Sequence, residues 1–242
     1  MITRDGPLAV MMPASLAEWQ EAAVLLGSSP PQFDFPLQES SGSLVDAMNG
    51  AVLTPSATVP LYQQSITGWN AKGVGAVNGT AAQGFLGASR TLWTIGTQSV
   101  VVYLQFLLTT STSLTELLSI SGANYRIVTP NGNGKVELVP GSLVGTVDYR
   151  DSLVHPLMIE ILPGAGVINH TGAGLVRVTT DKEQFTGTWG GSLGNDSKGL
   201  FAIAGQVAPS AIINKLEAWI GSEADTLSAV TPRLWLQRRG WV

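Results

Sequence analysis

Few residues in this chain are of the types and spacings that carry chemistry. Gly190-Gly191-Ser192-Leu193-Gly194 matches the Gly-x-Ser-x-Gly pattern of a nucleophilic serine. That serine needs a strand-to-helix turn, with an acid and then a histidine following it in the chain. Here Gly194–Gly199 reads as loop, and both histidines, His155 and His170, precede Ser192, so the segment is read as a glycine-rich loop. The histidines form no His-Glu-x-x-His pattern. His155 before Pro156 reads as a strand start and His170 as a loop residue. Cysteine is absent, which removes thiolate catalysis, thiolate metal sites and disulfides. Gly132-Asn133-Gly134-Lys135 lacks the upstream glycine and the hydroxyl residue of a phosphate loop, and is read as a turn.

Glycoside hydrolysis by retention needs two carboxyl groups about 5 Å apart. Asp181-Lys182-Glu183 sits in an expected turn and suggests no such pair. Sugar binding without hydrolysis asks for exposed aromatics beside amides and carboxylates. Trp69, Trp93, Tyr149 and Trp189 lie in or near expected loops and are the candidate glycan-binding residues. The opposing reading is that such large aromatics are partly buried.

The chain that positions these groups has 242 residues, with 13 Lys plus Arg against 17 Asp plus Glu, a net charge of −4. The mild acidity supplies no basic field, so nucleic acid is not an expected partner. Only 12% of residues are charged, about half the usual share. This suits a β-rich protein with many turns, some of whose surface is hidden in an assembly. The apolar run Leu8–Met12 is too short for a secretion signal, and Val100–Leu108 falls well short of the ~20 residues of a membrane helix. The expectation is a protein made without a secretion signal and without membrane partners. Three Asn-x-Ser/Thr sequons, at Asn78, Asn169 and Asn195, are expected by chance in a chain this rich in Ser and Thr.

Ser15–Leu26 is the best helix pattern: Ser15 can cap, Glu18 completes a capping box, and Gly27 stops it. Ser28-Ser29-Pro30-Pro31 then breaks the chain. Residues 1–31 are therefore read as an N-terminal arm, 32–222 as one β-sandwich domain and 223–242 as a C-terminal tail. From Gln32 the period is two. Expected strands include 32–38, 51–54, 72–78, 100–108, 114–121, 125–129, 135–139, 156–162, 175–180, 183–189, 200–204 and 214–220. Val100–Leu108 is apolar enough to lie centrally and be buried on both faces. Ten to twelve short strands with turns between them predict an all-β antiparallel sandwich or barrel.

The order of elements resembles the concanavalin A-like, or laminin G-like, jelly-roll family. An aromatic strand at 33 precedes the Gly42-Ser43-Leu44-Val45-Asp46 turn and the short Leu53-Thr54 strand. The glycine-punctuated Gly73–Gly79 precedes the long strand at 99–108. His155–Leu162 resembles the family's back strand, and 176–189 its strand–turn–strand unit. The resemblance covers roughly residues 32–222 and implies a jelly-roll sandwich. Hydrolases of the superfamily carry Glu-x-Asp-x-x-Glu on one strand. Glu223-Ala224-Asp225 lacks the third acid and follows the last expected strand, so no catalytic residue is assigned. No cofactor is assigned, although laminin G-like modules can place calcium at one rim. Asp148, Asp151 and Asn169 are the available oxygen ligands, although Arg150 makes a solvated loop an equal reading.

The tail holds Arg233, Trp235, Arg238, Arg239 and Trp241, and the arm holds Trp19. Arg and Trp are enriched at interfaces, so these six are the candidate interface residues. The tail is otherwise a last strand packing on its own sandwich. The leading expectation is a non-enzymatic structural subunit of a large assembly, best read as a phage virion decoration, capsid or tail protein. Its partners would be copies of itself and other virion proteins, and its location the virion. The alternative is a carbohydrate-binding or receptor-binding lectin-like module at an extracellular surface, with surface glycans as partners.

Overall fold

The computed structural model describes residues 31–48, 50–55, 61–65, 72–76, 85–87, 100–108, 115–120, 125–129, 134–139, 143–162, 174–189, 202–205 and 211–220. The expected arm helix and the tail lie outside these residues. The described residues form sixteen strands. All their pairings are antiparallel.

The strands make two eight-stranded sheets. The first runs β14 (Gln184–Trp189), β13 (Gly174–Thr180), β12 (Val154–Leu162), β7 (Val100–Leu108), β16 (Ala211–Ile220), β5 (Lys72–Ala76), β4 (Leu61–Ser65), with β1 (Phe33–Phe35) also on β16. The second runs β11 (Leu143–Val144), β10 (Glu137–Val139), β9 (Tyr125–Thr129), β8 (Thr115–Ile120), β15 (Ala202–Gly205), β6 (Phe85–Gly87), β3 (Val52–Pro55), β2 (Leu44–Val45). The chain passes repeatedly from one sheet to the other, as at β5, β6, β7 and β8. This crossing places both inner faces around one core, the arrangement of an antiparallel β-sandwich.

Alternation decides which side chains meet in that core. Val100, Val102, Leu104, Phe106 and Leu108 of β7 join Leu157, Ile159 and Ile161 of β12 and Leu216 and Ala218 of β16. The opposite sheet contributes Leu44, Leu53, Phe85, Leu118 and Leu138. Full burial of a Leu, Val or Phe side chain stabilises by roughly 1.5–3 kcal/mol. The core is thus ample for a domain without disulfides. Asp46, at the end of the Gly42–Asp46 turn, is buried, and its Oδ1 accepts the Asp34 backbone N–H at 2.5 Å. This bond ties β1 of the first sheet to the β2–β3 hairpin of the second.

Val100–Leu108 was expected to be central and buried on both faces, and it is: all nine residues are buried. The expected strands 125–129 and 135–139 pair as a hairpin, with Glu137 opposite Val128 and Leu138 opposite Ile127. Four strands, β2, β4, β6 and β11, were not expected. Residues 42–46, read as a turn, contain β2, which pairs Leu44 with Leu53 and Val45 with Val52.

Candidate functional site

The odd-numbered residues of β7 point away from the core. They share the outer face of the first sheet with the alternate residues of its neighbours. Strand register sets them in rows about 4.8 Å apart between strands. One row carries Arg177, Glu160, Val101 and Trp219. The next carries Gln184, Thr179, Met158, Tyr103, Glu217 and Asp34. A third carries Pro156, Gln105 and Lys215. The outer face of a sandwich sheet is ordinarily solvated and merely polar. This one combines two aromatics, amides, hydroxyls and five charges in a single stripe.

The charges on the stripe are paired. Arg177 Nε and Nη2 donate to the two carboxylate oxygens of Glu160, a fork-to-fork pair across β12 and β13. Glu160 is 0% exposed. Lys215 Nζ lies 3.1 Å from Glu217 Oε1 and 3.2 Å from Asp34 Oδ1. Gln105 Nε2 donates to the Tyr103 hydroxyl at 2.5 Å, and Gln184 Nε2 donates to Thr179 Oγ1 at 3.0 Å. The centre of the stripe, at Tyr103, Glu160 and Trp219, is closed to solvent. Its β14 margin is open, where Gln184 and Thr186 are exposed and Arg177 is half-buried.

A second cluster closes one end of the sandwich. The residue 145–153 connection meets the start of β12 and the 181–183 turn between β13 and β14. His155, 1% exposed, faces the core end, with its ring centroid 4.9 Å from that of Tyr149 and 5.8 Å from that of Phe106. Its Nε2 lies 2.9 Å from Asp151 Oδ1, and its Nδ1 lies 3.0 Å from Asp181 Oδ2. Lys182 Nζ reaches Asp151 Oδ2 at 2.6 Å. Glu183 accepts the backbone N–H of Thr146 at 2.7 Å and that of Val147 at 3.3 Å.

Burial disfavours the charged form of His155, but the hydrogen bonds and charges of Asp181 and Asp151 outweigh it and raise its pKa above the ordinary value. Burial likewise opposes ionisation of Asp151. Lys182, His155 and the Leu153 N–H overcome it and lower Asp151 to about 2. The Asp148 carboxyl is held below its usual range by Arg150.

The structure changes the reading of several residues singled out in the sequence. Tyr149, expected on an exposed glycan platform, is fully buried. Its hydroxyl meets Thr180 Oγ1 at 2.7 Å and donates to Glu183 Oε1 at 3.2 Å, and burial holds its proton on. This loop aromatic turns inward because the 145–153 connection folds over the open end of the core, where a ring and a partnered hydroxyl both fit. Trp189 ends β14 opposite Gly174. Trp69 and Trp93 lie outside the described residues, as do the interface candidates Trp19, Arg233, Trp235, Arg238, Arg239 and Trp241. Of the calcium candidates, Asp148 is engaged by Arg150 at 2.5 Å, Asp151 is engaged by Lys182 and His155, and Asn169 lies outside the described residues. Among the described residues no group of three acidic or histidine side chains is arranged to hold a metal ion.

The stripe residues escaped notice in the sequence. The available signal was one polar residue inside each apolar strand: Gln105 in VVVYLQFLL, Glu160 in PLMIEIL, Arg177 in LVRVTT and Glu217 in NKLEAWI.

No protein-family model matches this chain, and no curated protein matches it. Solved structures do. Domain 4 of the extracellular arabinanase AbnA from Geobacillus stearothermophilus, solved with arabinotriose, superposes with a TM-score of 0.53 at 14% identity, covering 84% of this chain and 98% of that domain. A botulinum neurotoxin type C structure, whose study ties cell entry to two ganglioside molecules, gives 0.53 at 7% identity over 78% of this chain and 47% of its own. A Trypanosoma rangeli sialidase gives 0.53 at 9% identity, over 92% of this chain and 38% of its own. This chain thus spans nearly the whole of the arabinanase domain but about half or less of the other two. At these identities the likeness is one of fold: the chain shares the antiparallel β-sandwich of these structures.

Proposed function

We propose that this chain is a non-catalytic glycan-recognition module. The observation that carries this reading is the open polar margin of the first sheet's outer face, where Arg177, Gln184 and Thr186 stand side by side on β13 and β14. A sugar offers hydroxyls in fixed directions, and a row of amide, hydroxyl and guanidinium groups on a rigid sheet is complementary to them. The arabinotriose on the arabinanase domain and the gangliosides named for the toxin support the same reading. Hydrolysis is disfavoured by the charge pairing. A retaining enzyme needs one carboxylate free to attack and a second poised to donate a proton. Here both oxygens of Glu160 are held by Arg177, and Glu217 is engaged by Lys215. The expected virion subunit drew on the low charge and the lone sandwich as well as on arm and tail residues outside the described part, and the structural neighbours support the module instead.

The test is a binding screen against oligosaccharides, including arabinotriose and a ganglioside headgroup, followed by titration of any hit. Saturable binding is expected, weakened about tenfold by the double substitution Gln184→Ala/Thr186→Ala, the worth of one or two lost hydrogen bonds. Release of reducing sugar is not expected. A chain that binds no oligosaccharide, or binding that the double substitution leaves unmoved, would refute this assignment.

A further inference from the structure

The end cluster holds a histidine between two carboxylates, a geometry that only one protonation state satisfies. Both ring nitrogens of His155 face carboxylate oxygens, Nε2 at 2.9 Å from Asp151 and Nδ1 at 3.0 and 3.1 Å from Asp181. An ionised carboxylate only accepts hydrogen bonds, so both nitrogens must carry protons, and only the imidazolium does. In the neutral ring one lone pair would confront a carboxylate at hydrogen-bond distance.

The three participants belong to three different segments. Asp151 lies in the 145–153 connection, His155 on β12, and Asp181 in the β13–β14 turn. We propose that Asp151, His155 and Asp181 form a proton-operated clasp that pins the 145–153 connection and the 181–183 turn to the end of the sandwich and loosens them when His155 loses its proton.

The surroundings make the proton decisive. From the 145–153 connection the groups near the ring are Tyr149 and Asp151, with the Asp148–Arg150 pair farther out. From the 181–183 turn they are Asp181, Lys182 and Glu183. β7 contributes the uncharged Phe106, and the one acid on β12 itself, Glu160, points to the opposite face. His155 and Lys182 together balance Asp151 and Asp181. Glu183 is occupied by the Thr146 and Val147 amides and the Tyr149 hydroxyl. Deprotonation therefore leaves two carboxylates sharing one cation beside a buried ring. A histidine whose pKa is raised on folding contributes fully below its unfolded value of about 6.5, and the contribution disappears as pH rises through the folded value.

The experiment is amide hydrogen exchange on the full chain between pH 5.5 and 8.5, as protection factors corrected for the intrinsic pH dependence. The amides of Thr146, Tyr149 and Leu153, bonded to Glu183, the Gly134 carbonyl and Asp151, report on the clasp. Their opening equilibrium is expected to rise about tenfold per pH unit between the unfolded and folded His155 pKa values. His170→Gln should retain this step and His155→Gln should lose it. A wild-type chain without the step, or a step that survives His155→Gln, overturns the clasp. Should His155→Gln not fold, the imidazole NMR titration of wild type decides. Titration above about 6.5 supports the clasp, and titration at or below that value overturns it.

Discussion

Arg177 and Glu160 stand opposite one another on β13 and β12, and the guanidinium holds both oxygens of a carboxylate that has no contact with solvent. Removing one partner of such a pair leaves an uncompensated buried charge, which costs about 3–5 kcal/mol. Arg177→Met should lower unfolding stability by that amount in urea titrations. The double substitution Arg177→Met/Glu160→Leu should regain most of it, because the charge needing compensation is gone. A single substitution that costs under ~1 kcal/mol would contradict the burial of Glu160.

Tyr149 is a structural residue of the end cluster. Tyr149→Phe keeps the ring against His155 and Phe106 but removes the hydroxyl between Thr180 and Glu183. Stability should fall by about 1–2 kcal/mol, while oligosaccharide binding at the β14 margin stays unchanged. Binding lost without a change in stability would return Tyr149 to the role first expected of it.

Gly134 adopts a left-handed backbone, with φ at +60°, just before β10. A β-carbon there would run into the Asp148 carboxylate and the Arg150 side chain. Gly134→Ala should therefore cost at least the ~1–2 kcal/mol of the backbone conformation, with a further loss as the Asp148–Arg150 pair is displaced. The melting temperature reads this directly. An unchanged value would mean that the connection moves aside freely.

Acid should weaken the same end of the molecule by a separate route. Asp151, with a pKa of about 2, is depressed on folding, so its contribution is complete above the unfolded value of about 3.9 and is lost as pH falls towards 2. Asp151→Asn should flatten the stability profile between pH 4 and 2. It should also lower the pKa of His155, which loses one of its two carboxylates.

The fold was legible wherever a strand was long and uniform. β7 could be bounded and placed centrally because no polar residue but Gln105 interrupts it, and β13 alternates cleanly. β2, β6 and β11 have two or three residues each, too few to show a period. β4 reads LYQQS, a polar run that becomes a strand only because β5 lies beside it. The stripe was illegible for a different reason. Glu160 and Arg177 are 17 residues apart in the chain, and nothing local to either encodes the register that brings them together. His155 was correctly placed near a strand start, but its partner Asp181 is 26 residues away and was read only as part of a turn.

The pairing of β7 with β16 along its whole length sets the order of events at the ribosome. Until residue 220 has emerged, a strand apolar on both faces has one edge without its native partner. At ordinary elongation rates of ~5–20 residues per second that interval lasts on the order of ten seconds. The nascent chain cannot complete its first sheet in the order of its synthesis. β1, made early, also waits for β16, since Phe33, Asp34 and Phe35 pair with Ala218, Glu217 and Leu216. Truncation before β16 would leave β7 as a sticky edge, and such fragments should collect in inclusion bodies or on chaperones.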